Sequence, residues 1–287
     1  MINIFEWNIN QATNYTGDNN IPQIVTKEIE KQGRDIIVFT EISASCKNMK
    51  DFFHEISNLG YDYRITDNKQ VKQNDVLVAW KREKYTVVDS GLSHKAIGDT
   101  PEVLMVEFID NESNESFLVV GTRIKLCGNG ENAWDLRRAQ MNYLLTKVNE
   151  HYPKLKNVII AGDFNNNRTD LENCAGKSFV DKWSIKVIDD IANKHGFKRC
   201  TPYSHGSIKG ENSFFKEDHF LVKGFKESSV EYSRTFTCDN KDIYLHGNDF
   251  EIYNFRVKRV IWSIPYGSGI PDHAILTGNF ILEKCEK

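Results

Sequence analysis

The sequence predicts an α/β sandwich built from mixed β-sheets, in a single domain that spans residues 1–287. Segments with the alternating or contiguous apolar pattern of strands are interleaved with segments of helical spacing. Several strand-like segments also follow one another in the middle of the chain, which a regular strand–helix–strand repeat would not produce. The sequence contains no internal repeat, low-complexity tract or Pro/Gly-rich linker, so nothing marks a domain boundary.

The first part of the chain alternates strands with helices. Residues 2–9 alternate apolar and polar side chains, which is typical of a short strand. Residues 19–33 have helical spacing, with Asn20 as the predicted cap of the first turn. Residues 35–42 form a contiguous apolar run, which indicates a buried strand. Residues 46–60 return to helical spacing.

Strands predominate in the middle and in the last third of the chain, with two further helices between them. The helical segments are residues 133–150 and 184–196. The strand-like segments are residues 75–80, 85–90, 102–109, 116–126, 157–164 and 274–282.

Composition restricts the class of protein without fixing its substrate. The net charge of −3 and the pI near 6.3 provide no general attraction to nucleic acid, although a local basic cleft would still bind it. The N-terminus lacks the basic and apolar segments of a secretory signal, and no apolar run reaches the roughly 20 residues of a membrane span. The six cysteines are dispersed, which predicts reduced thiols and a cytoplasmic protein.

Several buried strands end, or are interrupted, with side chains that can bind metal or phosphate. Each one alone could be ordinary turn chemistry, and each histidine could be structural. Together they are typical of a site built from loops on a sheet scaffold. These residues are Asn8, Asn10, Glu41, Arg123, Asp163, Asn165, Asp218, His219, Asp272 and His273.

The chemistry of these groups favours attack of water on a phosphate ester. Glu41 is a hard oxygen ligand suited to Mg²⁺ or Mn²⁺. Asp163 can accept a proton from water, while Asn165 can donate to a developing phosphorane oxygen. Arg123 and a protonated His273 can neutralise phosphate oxygens. The sequence offers no activated serine or cysteine nucleophile, so metal-assisted hydrolysis is the natural reaction class.

Five short motifs occur in the order found in a known superfamily. They are WNIN (7–10), TEI (40–42), GDFN (162–165), EDHFLV (217–222) and PDHAIL (271–276). With them the chain resembles, over nearly its whole length, the endonuclease/exonuclease/phosphatase superfamily of DNase I-like and exonuclease III-like enzymes. The resemblance implies a four-layer α/β sandwich, in which helices flank two packed mixed sheets and the site lies at one edge.

The resemblance also implies roles for individual residues and Mg²⁺ (or Mn²⁺) as the cofactor. Glu41 resembles the principal metal ligand, with Asn8 and Asp272 as further metal contacts and Asn10 as a substrate contact. Asp163 and Asn165 resemble the residues that activate water and stabilise the phosphate. Asp218 resembles the aspartate that pairs with the catalytic histidine, here His273.

Three features depart from the family pattern or extend it. Many members have histidine or tyrosine where this chain has Arg123, so only a phosphate contact is carried over to it. Residues 242–262 could be an added hairpin, whose aromatic and basic residues, Arg256 among them, suit either nucleic-acid stacking or an ordinary half-buried hairpin. Residues 166–168 are expected to form a turn, with Arg168 as a candidate substrate contact.

The predicted function is a divalent-metal-dependent phosphodiesterase, with DNA as the first substrate and with neither a membrane nor an obligate protein partner. One alternative is a phosphatase or phosphodiesterase for inositol phosphates, lipid head groups or small nucleotides, which the acidic pI favours. Another is a catalytically silent binding module on the same fold.

Overall fold

In the computed structural model of the chain, two β-sheets pack face to face and helices cover both outer faces. The description covers residues 1–10, 20–66, 74–89, 91, 93–94, 100–126, 131–166, 183–202, 206–209, 214–238, 241–246, 249–254, 257–261, 271 and 273–282.

The first sheet is mixed and joins the two ends of the described chain. Its strands are β1 (Ile2–Asn8), β2 (Ile36–Ile42), β3 (Tyr61–Ile65), β4 (Asp75–Lys81), β14 (Phe225–Ser233) and β19 (Ile275–Leu282). They are arranged in the order β14-β19-β1-β2-β4-β3. β1 and β2 are parallel, and the other neighbours are antiparallel.

The second sheet is also mixed and supplies most of the polar strand ends. Its strands are β5 (Tyr85–Asp89), β6 (Ser93–His94), β7 (Glu102–Asp110), β8 (Ser116–Arg123), β9 (Val158–Asp163), β10 (Lys198–Cys200) and β13 (Asp218–Lys223). Six of them are arranged in the order β10-β13-β9-β8-β7-β5, and β6 also pairs with β7. Only β8 and β9 are parallel neighbours among these pairs.

Three apolar clusters fill the three interfaces between four layers. One cluster lies between the two sheets, a second lies between the first sheet and two helices, and a third lies between the second sheet and two further helices. The predicted four-layer α/β sandwich is therefore confirmed. The helices are α1 (Gln23–Gln32) and α2 (Met49–Asn58) on the first sheet, and α3 (Glu131–His151) and α4 (Ile185–Lys194) on the second.

The first helix begins later than the sequence predicts. Pro22, with a φ of −63°, precedes the first helical residue, Gln23, and no side chain caps the helix. The predicted cap at Asn20 is therefore wrong, because Pro22 itself occupies the N-cap position with an extended backbone (ψ 141°), two residues after Asn20. The helix ends as predicted at Gly33, whose left-handed backbone lets its N–H donate to the carbonyl oxygen of Ile29.

The last third of the chain is rich in strands as predicted, but residues 242–262 lie in three strands rather than in the single added hairpin that was expected there. A four-stranded antiparallel sheet consists of β15 (Thr235–Cys238), β16 (Lys241–His246), β17 (Asp249–Asn254) and β18 (Val257–Ile261). A two-stranded ribbon of β11 (Ile208–Lys209) and β12 (Phe214–Phe215) precedes β13. Arg256 lies outside the described residues.

Two general expectations from composition can be compared with the described residues. Cys46 and Cys200 are buried free thiols, as expected of reduced structural cysteines. None of the described helices combines the length and the apolar character that crossing a bilayer requires.

Gly162, the residue before Asp163, provides a test of this packing. A Cβ atom at this position would lie 1.8 Å from the carbonyl oxygen of Thr122 on the neighbouring strand, and backbone cannot move aside cheaply. We expect Gly162→Ala to lower the free energy of unfolding by about 3 kcal/mol or more, measured by urea denaturation.

Gly33→Ala is the matched control for backbone strain alone. Gly33 has a φ of 55°, but a Cβ there would come no closer than 3.9 Å to another residue. Its expected loss is about 1 kcal/mol. Equal losses in the two variants would contradict the close-approach explanation for Gly162.

Candidate active site

Strand register brings four ionisable residues into one line at an edge of the second sheet. β7, β8, β9 and β13 are consecutive neighbours, and the paired residues at this edge form what we call the cross-strand row. Residues paired across neighbouring strands have side chains about 5 Å apart, so each member contacts the next. The row consists of Glu102, Arg123, Asp163 and Asp218.

The first sheet adds Asn8 and Glu41 to the same edge. Asn8 ends β1, while Glu41 lies where the pairing of β2 with β4 shifts between Phe39 and Ile42. Glu41 has a φ of 51°, a left-handed conformation that is uncommon outside glycine and recurs at functional sites. This bulge turns the carboxylate across to the second sheet, where it lies 2.5 Å from Arg123.

Asp163 is buried and held by three amide hydrogen bonds. The backbone N–H of Asn165 donates to Oδ1 at 2.8 Å, and its side-chain Nδ2 donates to Oδ2 at 2.8 Å. The side-chain Nδ2 of Asn8 donates to the same Oδ2 at 3.0 Å. These contacts fix the orientation of the carboxylate at the end of β9.

The surroundings of Asp163 raise its pKa to about 7. Burial away from water is the largest cause, and the neighbouring carboxylate of Asp218 adds to it. His273 and Arg123 oppose the shift because positive charge favours the ionised carboxyl. A carboxyl with a pKa near neutrality can accept a proton during a reaction and then release it.

Asn165 serves mainly to position Asp163. Besides Asp163, its Nδ2 donates to the carbonyl oxygen of Ile124 at 2.9 Å, so both amide hydrogens have acceptors within the protein. Its backbone φ is 46°, which folds the chain back toward Asp163. The predicted donation to a phosphate oxygen would require one of these bonds to open.

His273 is paired with the last member of the cross-strand row. Its Nδ1 lies 2.7 Å from Oδ2 of Asp218, which is itself fully buried. Because a carboxylate can only accept, Nδ1 is the donor, and Nε2 is the ring atom that can contact a phosphate oxygen. Trp7 supports the same segment, since its Nε1 donates to the carbonyl oxygen of His273 at 2.9 Å.

His219, the second candidate histidine, is a structural residue. Its Nδ1 lies 2.7 Å from the hydroxyl of Thr201 and its Nε2 lies 2.8 Å from Oδ1 of Asn166. Complete burial lowers its pKa well below the ordinary value, which keeps the ring neutral. Asn166 lies in the predicted turn, but it is buried and holds this ring.

Three further residues were predicted from the sequence to contact metal or substrate, and one of them lies within the described residues. Asn10 donates its backbone N–H to Oδ1 of Asn8 at 3.0 Å, so it supports Asn8. Its predicted contact with substrate stays a prediction. Asp272 and Arg168, the predicted metal and substrate contacts, lie outside the described residues.

Two buried acids that belong to the site were missed in the sequence. Glu102 lies beside Arg123, and burial raises its pKa to about 8. It begins a strand, but β7 runs antiparallel to β8, so its start lies at the same edge as the end of β8. Considering strand starts as well as strand ends would have found it.

Glu6 is the second missed acid and lies beneath the site. It shares one face of β1 with Asn8, is completely buried, and makes no well-formed hydrogen bond through its carboxyl oxygens among the described residues. Burial, followed by the charges of Asp218 and Asp163, raises its pKa well above the ordinary value. A polar residue on the inner face of the alternating first strand was the available signal.

The donor chemistry at this edge fits a divalent metal of the Mg²⁺ type. Such ions are usually held by one or two carboxylates, with water and substrate phosphate completing the shell. Glu41 offers a hard oxygen donor, although its carboxylate is bonded to Arg123. Among the described residues, no three His, Cys, Asp or Glu side chains form a complete metal cage. Oδ1 of Asn8 could contact a metal only while also accepting from Asn10.

A four-layer sandwich that gathers buried acids, an arginine and a histidine at one sheet edge supports the class of phosphoester hydrolases. Residues 5–232 match the model of the endonuclease/exonuclease/phosphatase family, and the chain belongs to that family. Members of this family generally depend on divalent metals. No curated protein matches the sequence.

Solved structures with the same fold cover nearly the whole chain at low sequence identity. An endonuclease/exonuclease/phosphatase family protein from Bacteroides thetaiotaomicron has a TM-score of 0.65 at 15% identity, covering 99% of this chain and 98% of that one. ANGEL2, a 2′,3′-cyclic phosphatase, has a TM-score of 0.64 at 13% identity, with coverages of 99% and 96%. The Bacteroides thetaiotaomicron mannosyl-6-phosphatase Bt3783 has a TM-score of 0.59 at 15% identity, with coverages of 98% and 100%.

The buried acid Glu6 leads to a prediction about stability and pH. Because its pKa is raised in the folded state, its contribution to stability is fully present below the ordinary pKa of 4.5 and is lost as pH rises through the folded value. Glu6→Gln removes this loss. We expect the variant to become progressively more stable than the wild type as the pH rises above 4.5, measured by urea denaturation at each pH.

Glu115→Gln, at an exposed position, is the matched control and is expected to change the unfolding free energy little. A difference between Glu6→Gln and the wild type that stays constant with pH would contradict the explanation.

Proposed function

We propose that this protein is a divalent-metal-dependent phosphodiesterase that hydrolyses DNA phosphodiester bonds by metal-assisted attack of water. The observation that carries the proposal is the meeting of three parts at one sheet edge. They are a buried Asp163 with a near-neutral pKa, the Asp218–His273 pair, and the carboxylate of Glu41.

Asp163 is the proposed general base. Its near-neutral pKa allows it to accept a proton from the attacking water, and the amides of Asn8 and Asn165 hold the carboxylate in place while it does so. Fixing the base in advance lowers the entropy lost in reaching the transition state.

His273 is the proposed contact for a phosphate oxygen. In its doubly protonated form, His273 donates from Nδ1 to Asp218 and can donate from Nε2 to the phosphate oxygen on which charge develops. Glu41 is the proposed metal ligand. A bound divalent cation would supply Lewis-acid polarisation of the phosphoryl group.

The choice of DNA rests on sequence more than on geometry. Residues 242–262 include β17, β18 and all but the first residue of β16. Their sequence combines aromatic and basic residues suited to stacking and phosphate contact. A smaller phosphate ester is the second candidate substrate. It is supported by the net charge of −3 and by the fold shared with a mannosyl-6-phosphatase and a 2′,3′-cyclic phosphatase.

The roles of Asp163 and His273 can be tested by substitution. Asp163→Ala removes the base and His273→Ala removes the phosphate contact, so each is expected to lower turnover about 10²- to 10⁴-fold with folding retained. The control is Asp189→Ala on α4, which removes the ion-pair partner of Arg199 on β10. This variant is expected to retain activity. Near-wild-type turnover in either site variant would refute the assigned role.

A substrate panel tests the function itself. Supercoiled DNA, abasic duplex, single-stranded DNA, RNA and inositol phosphates are incubated with protein in Mg²⁺ and, separately, in a chelator. Cleavage of DNA in Mg²⁺ alone is the expected result. Phosphate release from small esters without any cleavage of nucleic acid would favour the second candidate, and no turnover of any ester would indicate a silent binding module.

A further inference from the structure

Arg123 is a buried cation surrounded by three acidic side chains. Glu102 and Asp163 lie on either side of it in the cross-strand row, and Glu41 reaches it from the other sheet. The side chain of Arg123 is 9% exposed, and those of Glu41 and Glu102 are 11% and 9% exposed. One positive charge therefore faces three acidic groups where little water can screen them.

The guanidinium is closely bonded to only one of the three acids. Nη2 lies 2.5 Å from Oε1 of Glu41, which is a charge-assisted hydrogen bond. Nη1 lies 3.8 Å from Oε2 of Glu102, and Nε lies 3.7 Å from Oδ2 of Asp163, both too long for hydrogen bonds. Within the described part of the chain, neither Nε of Arg123 nor Oε2 of Glu102 has a hydrogen-bond partner.

The position of the guanidinium is unfavourable for a metal cation bound to Glu41. A divalent ion bound to this carboxylate would lie close to a buried guanidinium, and like charges repel strongly in a poorly hydrated site. The guanidinium and the cation therefore compete for Glu41. Their competition is a property of this chain, because it depends on an arginine at the end of β8.

Glu102 provides the guanidinium with a second position. A shift of about 1 Å would bring Nη1 of Arg123 within hydrogen-bond distance of Oε2 of Glu102. A buried carboxyl oxygen without a hydrogen bond, such as Oε2 of Glu102, costs stability, and this cost is offset when the guanidinium arrives. Glu102 is therefore a second acidic partner toward which the guanidinium can shift from Glu41.

We propose that Arg123 is the resident counter-ion of Glu41, and that a divalent cation binds Glu41 only when the guanidinium shifts to Glu102. Glu102 is then a positioning residue that sets the cation affinity of the site through Arg123. The inference rests on the proposed function, because it assumes that Glu41 holds the metal.

Binding of Mn²⁺ alone, without substrate, tests the inference. Free Mn²⁺ is measured by electron paramagnetic resonance during titration of the wild type, Arg123→Met, Glu102→Gln and the double variant. Arg123→Met removes the competitor and is expected to tighten binding about tenfold or more. Glu102→Gln removes the acid that would receive the guanidinium and is expected to weaken binding about tenfold. Arg199→Met, which breaks an ion pair with Asp189, is the matched control and leaves Mn²⁺ affinity unchanged.

The double variant separates the proposed shift from a simple change of net charge. In the Arg123→Met variant there is no guanidinium that could shift to Glu102. Adding Glu102→Gln to that variant is therefore expected to change its Mn²⁺ affinity little. An equal effect of Glu102→Gln in both backgrounds overturns the inference, as does unchanged or weaker Mn²⁺ binding by Arg123→Met.

Circular dichroism and cooperative urea unfolding establish that each variant is folded. If Arg123→Met does not fold, Glu102→Gln alone decides, and unchanged or tighter Mn²⁺ binding by it overturns the inference. If Mn²⁺ binds the wild type and all variants with the same affinity, the inference is overturned but the proposed metal dependence is retained. If the wild type and every variant fail to bind Mn²⁺, the inference and the proposed metal-dependent function fail together.

Discussion

The cross-strand row depends on the hydrogen-bonded register of four strands that come from distant parts of the sequence. Backbone pairing between the strands places each member beside the next. The side chains are therefore neighbours although no local sequence motif specifies it. The near-neutral pKa of Asp163 follows from this placement, because burial and the adjacent Asp218 raise it while Arg123 and His273 oppose them. The chemistry of the site is therefore a property of the sheet rather than of the GDFN motif alone.

Many of the polar groups at the site position other groups. The side-chain amide of Asn165 donates to Asp163 and to the carbonyl oxygen of Ile124. Asn8, on the other sheet, also donates to Asp163. Asp218 holds His273. Such contacts leave the reacting groups little freedom to reorganise, which is a main source of catalytic power in preorganised sites.

The sequence predicted the two mixed sheets because contiguous apolar runs are typical of buried strands, and it predicted the position of Asp163 because that run ends in polar residues. It could not predict what each side chain contacts. Glu102 was missed because it starts a strand, and Glu6 because it lies inside one.

The hydrogen bonds of Asn165 could not be predicted for a related reason. A donor can bind substrate only if its hydrogens are available, and their orientation depends on Ile124, which lies 41 residues earlier in the chain. The partners of Arg123 likewise depend on non-local register, which hydrophobic periodicity does not contain.

The first strand pairs on one side with β2 and on the other with β19, which lies near the opposite end of the described chain. Consecutive residues of that strand hold different parts of the site, since Asn8 bonds Asp163 and Trp7 bonds the carbonyl of His273. Until residues 273–282 have been synthesised, a nascent polypeptide lacks both His273 and the strand that pairs with β1 on this side. The candidate site is therefore incomplete until these residues have joined β1, and a product truncated before residue 273 would lack it.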